Sequence, residues 1–344
     1  IILGLSTIQR YCIKLGVKRE SVHIKPKLSP EQKMKRLEFC LNQIDISNKR
    51  QLVFKPQTNR VHWDEKWFNQ QPTVFKRKVF PDSDEFPAPS LPSKSNMPKI
   101  MFGLAVTEPI QDHSGLLALQ PFAQDVPAER RSFNREAGTI EVKPMTVTAE
   151  VIYETFMDVG GIVDIIVEVS LMLIHVIVIY LTILQLLIPY NEQEIEIQWD
   201  GAKPHIGLHN IDRINEELHG RGLNIHIIEQ PPYSPDLNVC DGSLFRSLQA
   251  QSYRIRGPNR TYQNIVDDVT EVFQSYDDNV LARCFGHLYA VYNEVIRTNG
   301  DNQFKEPHYE VRNKQKIGVP LNEVNLPWSE IKKKFKLVAD WRND

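Results

Sequence analysis

RVHWDEKWF, residues 60–68, decides how the rest of the chain is read. Residues 60–63 have the composition of a strand, and Asp64 follows them directly. The pattern recurs in EIEIQWD (194–200), where a strand delivers Asp200. A third acid, Asp241, closes the proline-fixed stretch QPPYSPDLNVCD (230–241) and opens the helical SLFRSLQAQ (243–251), whose direction Leu244, Phe245 and Leu248 fix. Two acids at strand ends and one at a helix start are expected to converge on one small volume. Carboxylate oxygens are the ligands that Mg²⁺ and Mn²⁺ prefer, and two such ions align a phosphoryl transfer.

Each acid alone carries little. An Asp after a strand is usually a turn residue or a helix cap, and Asp64 also reads as a surface acid paired with Lys66. Trp63 and Trp67 are placed to shield Asp64, and Glu65 stands ready as an outer support. Gly201 allows close backbone approach after Asp200. His205 reads equally as a partner orienting a metal ligand and as a capping or core histidine. Asp236 reads as the residue that caps its turn rather than as a ligand.

The length of 344 residues allows a large core and more than one structural unit. A net charge of -2 hides a basic arm: residues 1–60 hold 13 Lys and Arg against Glu20, Glu31, Glu38 and Asp45. Such an arm suits a polyanion, with a solvated helix surface as the bland alternative. The four cysteines form no CxxC pair, which suits a reducing compartment and argues against a disulfide framework or a zinc site. The opening IILGLSTIQRYC has no charged leader, cleavage site or initiator Met, so the expectation is no signal peptide and an incomplete N-terminus.

Helices are expected over residues 3–16 and over 29–44, the second with Ser29 as N-cap, Pro30 at the first helical position and Gln32 completing a capping box. Strands are expected at 60–63, 73–80, 99–107, 139–142, 194–199 and 224–228, and helices at 148–158, within 205–222, and twice within 262–298. The Pro- and Ser-rich 80–98 reads as a loop. Residues 169–188, VSLMLIHVIVIYLTILQLLI, are long enough to span a membrane. Three points oppose that: no Lys or Arg lies between Pro144 and Ala202, Val and Ile suit buried strands, and the run sits between two acids that must meet in water. It reads as a buried or aberrant insertion at about 160–190.

In order, HWDEKWF (62–68), IQWDGAKPHI (197–206) and QPPYSPDLNVCDGSLFRSLQ (230–249) resemble the three acidic motifs of mariner-like transposases, in particular the plant-type branch with Asp in third place. KPKLSPEQKMKRLEFCL (25–41) resembles the segment linking DNA-binding and catalytic domains, MPKIMFGLAVTEP (97–109) the third strand, RRSFNREAGTIEVKP (130–144) the stretch before the fourth, and GDNQFKEPHYEVRNKQKIGVPL (300–321) that branch's C-terminal signature. The resemblance spans nearly the whole chain. It implies an α/β fold, an RNase H-like mixed sheet flanked by helices, with Asp64, Asp200 and Asp241 as catalytic ligands of Mg²⁺ or Mn²⁺, two ions together. The implied activity is cleavage at terminal inverted repeats and strand transfer into target DNA, by a homodimer on double-stranded DNA in the nucleus and away from membranes. A transposase-derived, inactive DNA-binding protein is the alternative.

The domains expected are a helix-turn-helix remnant at 1–28, a linker helix at 29–58, a catalytic domain at 59–255, and a C-terminal helical region with a basic tail at 256–344. Arg10, Lys14, Lys18, Arg19, Lys25 and Lys27 are the expected DNA contacts. Lys332, Lys333, Lys334 and Lys336 read as a nuclear import signal or as a solvated basic helix. The sequence departs from the family in three places. Only 3–16 remains of the DNA-binding module, Trp199 and Gly201 stand where Gln-Asp-Asn is usual, and the apolar run replaces an amphipathic helix.

Overall fold

The structure, a computed structural model, describes residues 11, 14, 25–71, 97–111, 113–133, 135–158, 161–168, 194–200, 211–256, 260–305, 307 and 320–343. The expected strand at 73–80, most of the helix at 3–16, the apolar run 169–188, Gly201, His205, Arg10, Lys18 and Arg19 lie outside these residues.

Helix α1 (Pro30–Asn42) starts where its sequence says it should: Ser29 Oγ accepts from the Gln32 amide, and the Gln32 side chain accepts from the Ser29 amide. Strands β1 (Ile44–Asp45) and β2 (Val53–Phe54) make a small antiparallel pair. The main sheet is built from β3 (Arg60–Asn69), β4 (Lys99–Val106), β5 (Leu116–Pro127), β6 (Ile140–Pro144), β7 (Ile195–Trp199) and β8 (Ile225–Glu229), in the order β6-β5-β4-β3-β7-β8. Strands β3 to β6 run antiparallel in sequence, and β7 and β8 continue parallel to β3.

The helices fall on both faces. Helix α2 (Ala149–Met157), capped by Thr148, and α3 (Ile211–Gly220) share one face with the helical residues 162–168. On the other lie α1, α4 (Phe245–Ile255), α5 (Tyr262–Gln274), α6 (Asp278–Arg297) and α7 (Trp328–Asn343). Strand alternation assigns side chains to the two cores. Leu104 and Phe102 pack with Leu41, Leu244, Val269 and Phe285, while Trp63 and Ala105 pack with Phe156, Ile197 and Ile227. The first core draws on residues from Leu37 in α1 to Val338 in α7.

The second core centres on three rings: Phe156 stacks on Trp199 at 4.7 Å and meets Trp63 edge-on at 4.7 Å. Gly103 makes room for this arrangement, since a Cβ there would fall 2.2 Å from Trp63 Cη2.

Two differences from expectation matter. Strand β3 does not stop at Trp63: its ladder with β4 runs on to Asn69↔Lys99, so Asp64 lies mid-strand. A run of charged residues does not end a strand whose partner continues. The twelve-residue β5 was not expected, because Gln120, Pro121, Gln124 and Asp125 dilute its alternation. Proline is tolerated at 121 because β6 pairs only with residues 123–127, leaving β5 as an edge there. Among the described residues no helix is long and apolar enough to cross a membrane.

Candidate active site

Three segments meet on one face of the sheet. Asp64 pairs with Leu104 in the β3–β4 register, so its side chain shares the face of the larger core. The parallel register of β3 with β7 aligns Arg60 with Glu196 and His62 with Gln198. Extended by two residues, it sets Asp200, the first residue past β7, beside Asp64 on the neighbouring strand and facing the same way.

The third segment is fastened by buried side chains. Gln198 Nε2 donates to the Leu237 carbonyl at 2.8 Å and to Gln230 Oε1 at 3.1 Å, and Gln230 Nε2 donates to the Ser234 carbonyl at 2.7 Å. Asn238 Nδ2 donates to the Trp63 carbonyl at 3.0 Å, and the Val239 amide donates to His62 Nδ1 at 3.5 Å. Asn238 Oδ1 accepts from the Cys240 amide at 3.0 Å. These bonds lay residues 237–240 along β3 and start a single π-helical turn, Cys240–Leu244, that carries Asp241. Such turns widen the backbone ladder and recur at functional sites.

Asp241 comes within hydrogen-bonding reach of Asp64. Burial and then the negative charges of Asp241, Glu65 and Asp200 push the Asp64 carboxyl well above its ordinary range, while the Glu65 amide, donating to Asp64 Oδ1 at 2.8 Å, pulls it back. Asp241 is also raised, first by burial, with the contact from Asp64 and the charge of Lys66 opposing. His62 is fully buried against Phe285 and its pKa falls to about 3 by burial, so it is a neutral wall of the site. Burial pushes the Cys240 thiol well up, which makes it an inert packing group.

Carboxylate oxygens crowded so that they disfavour one another's charge are the donor chemistry of a hard dication. Asp64 and Asp241, each raised in pKa by burial and by neighbouring carboxylates, fit that role. Among the described residues, however, no three His, Cys, Asp or Glu side chains stand close enough to hold one ion. Asp200 adds its negative charge to Asp64 and Asp241 from the neighbouring strand end.

Several site expectations change. Asp236 does not cap its turn: both carboxylate oxygens accept from Arg36 at 2.7 Å, and Ser234, not Asp236, precedes the 3₁₀ turn Pro235–Leu237. Trp67 does not shield Asp64, because strand alternation puts it on the other face, half-exposed beneath Lys99. Trp63 shares that other face and supports β3 from behind. The Glu65 side chain also points there, accepting from Trp63 Nε1 at 2.5 Å, so its support of Asp64 comes through the backbone amide. Lys25 is engaged with the fold, donating to the Phe304 carbonyl at 2.8 Å, whereas Lys14 and Lys27 are exposed. The amides Gln198, Gln230 and Asn238 were missed. The only sequence signal for them is their position inside otherwise apolar or turn-forming motifs.

The sheet order, with acids gathered beside the two central parallel strands, is that of an RNase H-like fold. Within that class the chain has the fold of the mariner Mos1 transposase. It is similar to a pre-cleavage Mos1 transpososome at TM-score 0.56 and 16% identity, covering 87% of this chain and 72% of that one. The Mos1 mariner paired-end complex with Mn matches at TM-score 0.52 and 17% identity, over 87% of this chain and 72% of that one. The Mos1 strand transfer complex matches at TM-score 0.51 and 18% identity, over 87% and 71%. No protein-family profile and no curated protein sequence matches the chain.

Proposed function

We propose that this chain is a mariner-like DNA transposase of the plant-type branch, cleaving DNA at terminal inverted repeats and joining the freed strand to target DNA. The observation that carries the reading is the meeting of Asp64 and Asp241 on one face of a sheet that shares the Mos1 fold, with Asp200 delivered beside them. In this reading Asp64, Asp200 and Asp241 hold two Mg²⁺ or Mn²⁺ ions. When bound, such ions supply an activated water or 3′-hydroxyl nucleophile and stabilise the leaving oxygen.

The chain's own residues do the rest. The β3 ladder fixes Asp64, the Gln198–Gln230–Asn238 network fixes the approach of Asp241, and neutral His62 and Phe285 close the inner wall. Exposed Lys14 and Lys27, with Arg10, Lys18 and Arg19, meet the DNA backbone, and His205 orients a ligand. The protein acts as a homodimer in the nucleus, with the exposed lysines near 332–336 as import signal.

A second reading, a DNA-binding protein derived from a transposase without turnover, is favoured by the absence of a ready three-carboxylate group among the described residues. Nicking of a supercoiled plasmid carrying inverted repeats decides between the two. The proposal requires nicking that depends on Mg²⁺ or Mn²⁺ and disappears in Asp200→Ala with the fold retained. DNA binding without metal-dependent nicking supports the second reading.

A further inference from the structure

The last turn of α3 and the edge strand β8 bring two histidines into contact away from the acid site. His219 Nε2 lies 3.2 Å from His226 Nδ1, with the rings 4.5 Å apart and nearly perpendicular. The far nitrogen of His226 is already committed: Nε2 lies 3.3 Å from Asn224 Oδ1 and 3.6 Å from a carboxylate oxygen of Glu194. Both are acceptors, which engages Nε2 and leaves Nδ1 as the nitrogen that faces His219.

This is the arrangement in which histidine ligates a metal, with one nitrogen aimed at the ion and the other donating to an amide or carboxylate that sets the tautomer. Two nitrogens each about 2.0–2.1 Å from a tetrahedral ion stand about 3.3 Å apart, close to the observed separation. The spacing does not depend on the pair itself. Asn215 of α3 binds the Ile227 backbone of β8 through both ends of its amide, at 2.6 and 3.2 Å, so the fold holds the helix against the strand independently. His219 is exposed and His226 half-buried, which leaves the pair open to solvent.

We propose that His219 and His226 form a binding site for a borderline transition cation, Zn²⁺ in the first instance, with water filling the remaining positions. Imidazole selects such ions, whereas the carboxylates of the acid site select Mg²⁺ or Mn²⁺. The ion bridges the two rings and clasps α3 to the sheet edge. Among the described residues no third His, Cys, Asp or Glu joins the pair, so the site is open and its affinity modest.

The test is calorimetric titration of the full chain with ZnCl₂ in the Asp64→Asn background, which cripples the acid site, comparing it with further H219Q and H226Q variants. The expected result is one Zn²⁺ bound in the micromolar range, lost in either histidine variant, and weakened about tenfold in Asn224→Ala, whose outer hydrogen bond is missing. Zinc bound equally well by the H219Q/H226Q double variant overturns the proposal, as does no binding below millimolar Zn²⁺ by the folded Asp64→Asn parent with both histidines intact. Plasmid nicking by the two histidine variants, made with Asp64 intact, reports separately on the acid site.

Discussion

Changing Asp236 to Asn separates two accounts of one residue. As a turn cap, Asp and Asn are nearly equivalent, so the substitution costs almost nothing. The structure instead bonds Asp236 to the Arg36 guanidinium through two contacts at 2.7 Å. Arg36 is fully buried, while the Asp236 side chain is 22% exposed. Removing one partner of a buried ion pair costs about 3–5 kcal/mol. Partial exposure of Asp236 sets Asp236→Ala near the lower bound, about 3 kcal/mol. Asn keeps one acceptor but loses the charge, so about 2 kcal/mol is expected. For a chain of this size that amounts to a fall in melting temperature of roughly 3 °C. Urea unfolding followed by tryptophan fluorescence measures it. The pair also joins α1 to the stretch that carries Asp241, and Arg36 Nε holds the Gly300 carbonyl at 3.0 Å, so the Arg36→Met/Asp236→Asn double variant should cost less than the sum of the singles. An Asp236→Asn protein within about 0.5 kcal/mol of the parent refutes the ion-pair account.

Gly103→Ala places a methyl 2.2 and 2.5 Å from two atoms of the Trp63 ring, against which Phe156 also packs edge-on, so a loss of about 1–3 kcal/mol is expected in the same unfolding assay. Unchanged stability there means that the Trp63 ring sits elsewhere. The acid site predicts a pH effect of definite sign. Asp64 and Asp241 have pKa values raised in the folded state, so the folded chain holds protons more tightly than the unfolded one. Metal-free stability therefore falls as pH rises from the ordinary carboxylate value of 3.8 through the raised folded values, and the full penalty is present above them. Asp64→Asn should then stabilise the metal-free protein at neutral pH, with a gain that shrinks to nothing below about pH 4; a destabilised Asp64→Asn at neutral pH contradicts the crowding.

What the sequence disclosed was local and periodic. The Ser29–Gln32 box, the helix expected at 148–158 and the strand preceding Asp200 depend on residues within a few positions, and the structure has them where the pattern places them. Strand alternation also holds the key to the acid site: it puts Asp64 on the face that Asp241 reaches and sends Glu65 and Trp67 to the other, a consequence visible only once β3 is known to run through to Asn69. Roles set by distant partners were not legible. Asp236 and Arg36 are 200 positions apart, and Asn238 meets the Trp63 carbonyl across 175. Nothing near either residue in sequence distinguishes a buried ion-pair acid from a turn former, or a zipper amide from a loop amide.

The three aspartates are held in different ways, and this bears on how the site works. Asp64 sits inside a ladder bonded on both sides, to β4 throughout and to β7 just before it. Asp241 is fixed by a π-helical turn whose approach three buried amides define. Asp200 stands just past the end of β7, next to Trp199, which stacks on Phe156. Two carboxylates are thus fixed at the cost of mutual repulsion, and the third arrives from the strand end beside them. In the proposed enzyme Asp64, Asp241 and Asp200 would hold the dication, whose positive charge would offset the repulsion within the buried pair. Replacing Asp200 should then weaken Mn²⁺ binding while leaving the raised pKa values of Asp64 and Asp241 largely in place, because burial is the first cause of both.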